Sequence, residues 1–339
     1  MKKNLSSEMT HCTVDFGQSG KQVGNFHIPL SVHDDAWGVI PVPVAVIANG
    51  EGPTVILEGG NHGDEYEGPI ALGELIRDID VRDVSGRLII IPAINQPAVL
   101  AARRTSPIDD VNMNRTFPGN ALGSATEQIA AFVHDVIFPL GDVFLDLHSG
   151  GSSLDIIPSA VIEPGLTPEQ HAANVEAASI FGAPIAVVID NRGDPRTATA
   201  SAARYGMTSI GTEMAGSGTV SIDALALCRR GIRNVLAHVG VLPVDVATST
   251  TKPTLYKLSA DAHVISQDDG VLETLHPLGT EVRAGQLAAR VHFLTQPSRQ
   301  PVDLHYRTDG ILYGRRQPGR VRPGNCCLVV ASPYEGKIA

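Results

Sequence analysis

Two residues suited to metal binding stand in a glycine-rich turn near the start of the chain. His62 and Glu65 are three residues apart within residues 59–68. A neutral imidazole and a carboxylate at this spacing can converge on one cation, and the glycines permit the backbone turn that points both inward. Catalytic zinc sites use three protein ligands and leave a fourth position for water. The turn therefore predicts two zinc ligands and requires a third.

His148 is the predicted third ligand. It ends the apolar run 142–147 and is followed by Ser149 and two glycines. The carboxyl ends of strands form the ligand crevice of open α/β sheets, so two motifs at strand ends can meet there. Asp146 could orient the liganding imidazole through a hydrogen bond. The alternative is that each histidine is an ordinary loop residue, but the ten other histidines lack a glycine-flanked context of this kind.

A polar segment at residues 103–119 offers groups for binding an anion. A guanidinium with a neighbouring amide, as in Arg115 and Asn114, forms a selective clamp for a carboxylate. Such a clamp suits a free amino acid or the C-terminus of a peptide. The alternative is a structural ion pair between Arg115 and Asp109 or Asp110.

Glu213 lies in a second glycine-rich stretch, residues 211–218, where another strand is predicted to end. A carboxylate at that mouth, close to a metal, could take a proton from a water molecule acidified by zinc. Alternatively, Glu213 is a turn acid without a catalytic role.

Charge and composition exclude several classes of partner. The 339 residues carry a formal net charge of −10, and no block of Lys and Arg is present, so a nucleic-acid partner is not expected. No apolar run approaches the roughly 18 residues that a membrane-spanning helix needs. The N-terminal residues lack the apolar stretch of a signal peptide, which predicts a cytoplasmic location. A homo-oligomer is compatible with the sequence, and the four cysteines are expected to be reduced.

The order of apolar runs and helical segments predicts an α/β fold with a largely parallel sheet. Two helices have readable starts, because Ser124 with Glu127 and Thr167 with Gln170 fit the spacing of a capping box. Gly206 and Gly231 are expected to end helices. The predicted strands are residues 42–48, 54–58, 87–92, 142–147, 185–189 and 208–212.

The pattern changes after residue 240, where short strands and turns replace the helical segments. Residues 269–285 are echoed by residues 309–324, which predicts two strand-turn-strand units in a small barrel. These units resemble the halves of biotinyl and lipoyl carrier domains, but no lysine stands between them to carry a cofactor. We predict an N-terminal segment (1–40) packed on a catalytic domain (41–247), followed by a C-terminal β domain (248–339).

Taken in order, the four motifs resemble the succinylglutamate desuccinylase and aspartoacylase family. Residues 35–38, 59–70, 104–119 and 146–154 look closest to its N-acetyl-diaminobutyrate deacetylases of ectoine breakdown. The resemblance implies the zinc carboxypeptidase fold, a mixed and largely parallel sheet flanked by helices, with a C-terminal β domain resembling a barrel-sandwich hybrid. It also implies one Zn²⁺ per chain.

By this resemblance each site residue acquires a role. His62, Glu65 and His148 correspond to the zinc ligands, and Glu213 corresponds to the catalytic glutamate. Asn114 and Arg115 correspond to the carboxylate clamp. Arg104 corresponds to the arginine that polarises the scissile carbonyl.

The expected activity is hydrolysis of the amide bond of a small N-acyl amino acid. The resemblance specifies N-α-acetyl-L-2,4-diaminobutyrate, giving acetate and 2,4-diaminobutyrate. One alternative is a zinc carboxypeptidase acting on a short peptide or on another N-acyl amino acid. An alternative of another class is a non-catalytic module that binds zinc or a ligand. A serine hydrolase is disfavoured because the chain has no G-x-S-x-G motif.

Overall fold

A computed structural model describes residues 5–190, 193–244 and 252–334. The helices in these residues are α1 (Leu5–Met9), α2 (Glu67–Asp78), α3 (Gln96–Leu100), α4 (Ala125–Phe132), α5 (Pro168–Phe181), α6 (Ala198–Ala203) and α7 (Ile222–His238). Short 3₁₀ turns occur at Val81–Asp83, Met113–Arg115 and Phe138–Leu140, and one π turn follows α4 at Val133–Ile137.

The strands divide into those that precede α7 and those that follow residue 252. The first group is β1 (His11–Cys12), β2 (Gly20–Val32), β3 (Asp35–Asn49), β4 (Thr54–Gly59), β5 (Gly86–Ile91), β6 (Val143–His148), β7 (Leu154–Ile156), β8 (Ser159–Ile162), β9 (Ile185–Val188) and β10 (Thr208–Glu213). The second is β11 (Thr254–Lys257), β12 (His263–Ile265), β13 (Gly270–Thr274), β14 (Glu281–Val282), β15 (Leu287–His292), β16 (Val302–His305), β17 (Gly310–Arg316), β18 (Arg320–Val321) and β19 (Cys326–Pro333).

One large mixed sheet organises the described residues, in the order β1-β2-β3-β5-β4-β6-β10-β8-β9-β11-β19-β17-β14. Its centre, β5-β4-β6-β10, is parallel, whereas β3 and β8 run antiparallel to their central neighbours. The predicted α/β class and mixed, largely parallel sheet are therefore confirmed. Each of the six predicted strands is present, with ends shifted by at most one residue except at the start of β3.

Helices cover both faces of the central sheet, which explains the long apolar runs in β4, β5 and β6. All six residues of β4 are buried. On one face Leu57 packs in a core with Leu72 of α2 and Phe181 of α5. On the other face Ile56 packs in a core with Ile129 of α4. Alternate residues of each central strand therefore point to opposite helical layers.

The predicted helix starts agree with the structure. At α4 the Ser124 side chain and the Glu127 side chain form a reciprocal capping box. At α5 the Thr167 hydroxyl accepts a hydrogen bond from Gln170 N, but the Gln170 side chain accepts from Leu166 N.

One predicted helix end is wrong. Gly206 has φ +79° and follows α6, as expected. Gly231, by contrast, lies inside α7. A Cβ at Gly231 would lie 2.5 Å from ring atoms of Phe181, so the glycine permits close packing of α7 against α5.

The strands after residue 252 form two layers. β13, β15, β16 and β18 make a separate four-stranded sheet, while β11, β19, β17 and β14 continue the large sheet. β13 of the first predicted repeat pairs with β18 of the second, and β14 of the first pairs with β17 of the second. Strands of the two repeats therefore pair with each other within one small β structure.

The predicted domain division stays a prediction. β3 runs through residue 40, and the boundary at 247/248 lies outside the described residues.

Candidate active site

The site lies where β4, β6 and β10 end, on the sheet face that carries α4 and α6. Parallel pairing aligns Glu58 with Asp146, Asp146 with Gly211, and His148 with Glu213. Residues two apart on a strand share a face. Asp146 and His148 therefore point to the same side as Gly211 and Glu213, which places both motifs in one pocket.

The glycine-rich turn after β4 brings His62 and Glu65 to this pocket. Gly63 N donates a hydrogen bond to Arg103 O at 2.9 Å. A Cβ on Gly63 would lie 1.9 Å from Ala98 O, so only glycine allows the turn to pack against α3. The glycine predicted to permit the turn is required here by a close backbone contact.

The structure brings the three predicted metal ligands together. One possible ligand atom from each of His62, Glu65 and His148 lies within 4.8 Å of the others, and all three residues are at most 9% exposed. The two imidazole rings are 5.2 Å apart, centroid to centroid. This cluster could hold a metal ion.

Hydrogen bonds orient both imidazoles for that purpose. His62 Nδ1 lies 3.1 Å from Arg104 O, so a proton there leaves Nε2 free as a ligand. His148 Nε2 lies 3.0 Å from Asp146 Oδ1, and its Nδ1 lies 2.8 Å from Glu65 Oε2. Asp146 therefore contacts the ring nitrogen that faces away from Glu65, while its Oδ1 accepts no hydrogen bond from the described residues.

The electrostatics of the cluster favour a bound cation. Burial, reinforced by the positive charge of Arg104, holds the pKa of His62 well below its usual value, so this ring is neutral. Burial opposes a charge on His148, but the carboxylates of Asp146 and Glu65 raise its pKa well above the usual value. Burial and then Asp146 raise the pKa of the buried Glu58 carboxyl. A metal ion in the cluster would favour the ionised forms of these carboxyls, since a nearby positive charge lowers the pKa of an acid.

Glu213 stands at the end of β10 and lines the same pocket. Burial and the neighbouring Glu65 carboxylate raise its pKa to about 8. Its Oε2 is buried and accepts no hydrogen bond from the described part of the chain. The carboxyl is therefore held near the cluster without a structural partner on that oxygen.

Arg104, Asn114 and Arg115 also line the pocket. Arg104 is partly exposed, with Nη1 3.5 Å from Glu65 Oε1. The Asn114 amide is fixed, because its Oδ1 accepts from Ala198 N at 2.9 Å and its Nδ2 lies 3.2 Å from His148 Nε2. The structure thus brings Asn114 beside a predicted metal ligand, an arrangement the sequence did not indicate.

The alternative ion pair for Arg115 is wrong. Asp110 pairs with Arg103 at 2.7 Å, and Asp109 accepts hydrogen bonds from Thr126. The carboxylate nearest to the Arg115 guanidinium is that of Asp194, at 3.7 Å from Nε.

Several pocket residues were missed by sequence reasoning: Val161, Glu163, Ile189, Thr197 and Thr199. Glu163 directly follows β8, much as Glu213 stands at the end of β10. The available sequence signal for Glu163 was therefore a polar residue directly after an apolar run. The run in β8 is only four residues long, and no strand was predicted there.

A second cavity adjoins the pocket and shares Arg115 and Ile189 with it. Its other walls include Leu258, Ile265 and Arg307, which follow residue 252. The C-terminal strands also reach the catalytic sheet directly, since the hydroxyls of Tyr313 and Ser159 are 2.7 Å apart. Ser159 is the β8 residue opposite Glu213.

Comparison with known proteins assigns this arrangement to a family. Residues 51–239 match the succinylglutamate desuccinylase/aspartoacylase catalytic domain. The chain belongs to this family. This chain is 42% identical, over 95% of both chains, to N-alpha-acetyl-L-2,4-diaminobutyric acid deacetylase of Halomonas elongata.

Solved structures of the family share the whole fold. The ectoine utilization protein EutE (DoeB) of Ruegeria pomeroyi, in its product-bound form, superposes with a TM-score of 0.91 at 37% identity, covering 96% of this chain and 99% of that one. A succinylglutamate desuccinylase/aspartoacylase of Rhodobacter sphaeroides gives 0.90 at 38% identity, covering 97% and 100%. These matches confirm the predicted family, the predicted fold and the predicted hydrolase class. None of the described helices is long and apolar enough to cross a membrane.

Proposed function

We propose that this chain hydrolyses N-α-acetyl-L-2,4-diaminobutyrate to acetate and 2,4-diaminobutyrate. The observation that carries this proposal is the buried His62, Glu65 and His148 cluster, which shares one pocket with Glu213 and two arginines. The 42% identity to a deacetylase named for this substrate supports the specific choice.

The donor set suits zinc, at one ion per chain. Two imidazoles and one carboxylate are ligands of catalytic zinc sites. His62 Nδ1 lies 3.1 Å from Arg104 O, which leaves its Nε2 available, and His148 Nδ1 lies 2.8 Å from Glu65 Oε2, so the nitrogen and the oxygen that would share the ion are already adjacent. A zinc ion held there would supply Lewis-acid chemistry, polarising a carbonyl and acidifying water. The buried carboxyls around the cluster support the binding of a divalent cation in the pocket.

The chain's own residues account for the proton transfers. Glu213 takes a proton from the attacking water and passes it to the nitrogen of the leaving amine. Its Oε2 has no competing donor among the described residues, which supports this role. Arg104, whose guanidinium reaches into the pocket, stabilises the negative charge that develops on the carbonyl oxygen.

Arg115 and Asn114 hold the α-carboxylate of the amino acid. Arg115 lines the pocket, and its contact with Asp194 is long enough at 3.7 Å for a substrate carboxylate to compete. The Asn114 Nδ2 group faces the pocket beside His148.

Replacing Arg115 by alanine should therefore lower kcat/KM for the N-acetyl amino acid by about 10²-fold, the scale of a lost charge-assisted contact. The matching α-amide lacks the carboxylate, so its kcat/KM should change by no more than about threefold. Arg103→Ala is the control, since Arg103 is exposed and pairs with Asp110 outside the pocket. Equal losses on acid and amide would assign Arg115 a structural role.

The pocket that holds the cluster has a volume of about 120 Å³. It adjoins the second cavity, with which it shares Arg115 and Ile189, so the choice of a small substrate over a peptide rests on the similarity to the deacetylase and not on size. A non-catalytic binding module is disfavoured because Glu213 and Arg104 add a base and an oxyanion partner that binding alone does not require.

The test is a screen of N-acetyl amino acids against the zinc-loaded protein, with release of free amine as the readout. We expect N-α-acetyl-2,4-diaminobutyrate to give the highest kcat/KM. Faster release from a dipeptide series would support the carboxypeptidase alternative, and no release from any compound would support the binding module.

A further inference from the structure

A further carboxylate, that of Glu163, lines the pocket together with the predicted site residues. Glu163 follows β8, and its backbone carbonyl accepts a hydrogen bond from Asn174 Nδ2 at 3.1 Å. The Thr197 hydroxyl lies 3.2 and 3.1 Å from the two carboxylate oxygens, and the Thr199 hydroxyl donates to Oε2. The side chain is thus held in one orientation by two buried threonines.

Glu163 has hydroxyl partners but no cationic one in the part of the chain that is described. No Lys, Arg or His nitrogen among residues 5–190, 193–244 and 252–334 lies within 4 Å of its carboxylate, whereas Arg115 already has Asp194 as a neighbour. Burial raises the pKa of Glu163, and the hydrogen bonds from Thr199 and Thr197, together with the more distant positive charge of Arg115, only partly oppose this. A carboxyl in this setting would gain from a cation that enters the pocket.

Apolar surface lines the pocket together with Glu163. Val161 precedes Glu163 by two residues on the same side of β8, and Ile189 follows the adjacent strand β9. Gly211 stands opposite Val161 on β10 and contributes no side chain. The pocket therefore offers hydrocarbon contacts next to a fixed carboxylate, which fits a short methylene chain that ends in an ammonium group.

We propose that Glu163, oriented by Thr197 and Thr199, binds the side-chain ammonium of an N-acyl diamino acid. This assignment rests on the proposed function and gives the subsite that selects its substrate class. Arg115 binds the α-carboxylate at one wall of the pocket, and Glu163 binds the positive charge at another. Side chains ending in a carboxylate, as in N-acyl aspartate or glutamate, would meet Glu163 as a like charge and be rejected.

A structural role for Glu163 makes a different prediction. Thr197 caps α6 through Ala200 N and can do so without Glu163. If the carboxylate is merely structural, replacing it should change kcat/KM for substrates with cationic and neutral side chains by the same factor. If it binds the charge, replacing it should change the ratio of kcat/KM between the two substrates.

The first experiment compares Glu163→Gln with the wild type on two substrates of nearly equal shape. N-α-acetyl-2,4-diaminobutyrate ends in an ammonium, whereas N-acetylnorvaline ends in a methyl group. We expect the wild type to favour the diamino acid by about 10²-fold in kcat/KM, and Glu163→Gln to reduce that ratio to below about fivefold. Glu176→Gln, at an exposed position of α5, should keep the wild-type ratio. An unchanged ratio in Glu163→Gln would overturn the assignment.

A second measurement does not depend on turnover. Calorimetry of the zinc-loaded protein should show that Glu163→Gln weakens binding of 2,4-diaminobutyrate by about 10²-fold and leaves norvaline within about threefold. If wild type binds 2,4-diaminobutyrate through Glu163 but hydrolyses no acetyl amino acid, the proposed function fails and the subsite stands. If it hydrolyses the diamino substrate and Glu163→Gln binds both ligands as wild type does, the subsite fails alone.

Thr199 provides a variant that keeps the carboxylate. Thr199→Val should lower the preference for the diamino substrate by about threefold to tenfold, because one orienting hydroxyl is lost, and Thr199→Ser should restore it. Equal behaviour of the valine and serine variants would contradict the orienting role.

Discussion

Replacing Glu213 by glutamine should lower kcat by about 10²- to 10⁴-fold, the usual contribution of a positioned general base. The substitution is nearly isosteric and removes only the proton acceptor. Zinc content and KM should stay close to wild type, because the three predicted ligands are untouched. Steady-state kinetics on protein with verified metal content is the measurement.

The control for this prediction is Glu67→Gln. Glu67 is also buried, but it accepts a hydrogen bond from Ser221 N and does not line the pocket. Its kcat should remain within about threefold of wild type, as expected for a carboxyl away from the reacting atoms. If Glu213→Gln kept kcat within about tenfold of wild type, a catalytic role for this carboxyl would be excluded.

Replacing His148 by alanine should remove most of the bound zinc, since a three-ligand site cannot keep its affinity with two. His62→Ala should do the same. Asp146→Asn should weaken zinc binding less, by about 10- to 100-fold, because the orienting contact with Nε2 changes while all three ligands remain. Metal analysis after dialysis against a graded chelator measures all three variants.

His134→Ala is the matched control for the zinc measurement. His134 is half-buried and bonded to Ser201 Oγ at 2.8 Å, outside the pocket. It should retain about one zinc per chain, as the wild type should. Full zinc content in His148→Ala would remove His148 from the ligand set.

Much of the site could be predicted from sequence because parallel strands end at one edge of a sheet. The apolar runs of β4 and β6 were readable, β10 was predicted at residues 208–212, and glycines marked the turns that follow. His62, Glu65, His148 and Glu213 stand at those ends, so their proximity followed from the α/β pattern alone. The geometry of the cluster agrees with that reasoning, while the catalytic roles remain predictions.

Glu163 could not be found in this way, because its place depends on strand pairing. β8 is four residues long and enters the sheet antiparallel to β10. Which of its residues faces the pocket is set by the register between Val161 and Gly211, and short strands carry little local information about register. The contact between Arg115 and Asp194 likewise joins segments distant in sequence.

The start of β3 was missed for a local reason. Pro41 directly precedes the predicted start at residue 42, and proline cannot donate to a ladder. In the structure β3 begins at Asp35, and over residues 35–44 it pairs only with β2. On its other side, β3 pairs with no described strand at those positions, so the missing amide donor of a proline breaks no hydrogen bond there.

The pairing of β9 with β11 has a consequence for the behaviour of the chain in solution. β9 lies between β8 and β11, and β11 is in turn covered by β19. Without the residues after 252, the backbone amides and carbonyls along one side of β9 would form an open edge, a template for strands of other molecules. Tyr313 would also no longer bond to the buried Ser159 hydroxyl. The C-terminal strands thus cover an edge of the sheet that would otherwise be open to pairing, and a chain that ends at residue 244 is expected to self-associate through β9.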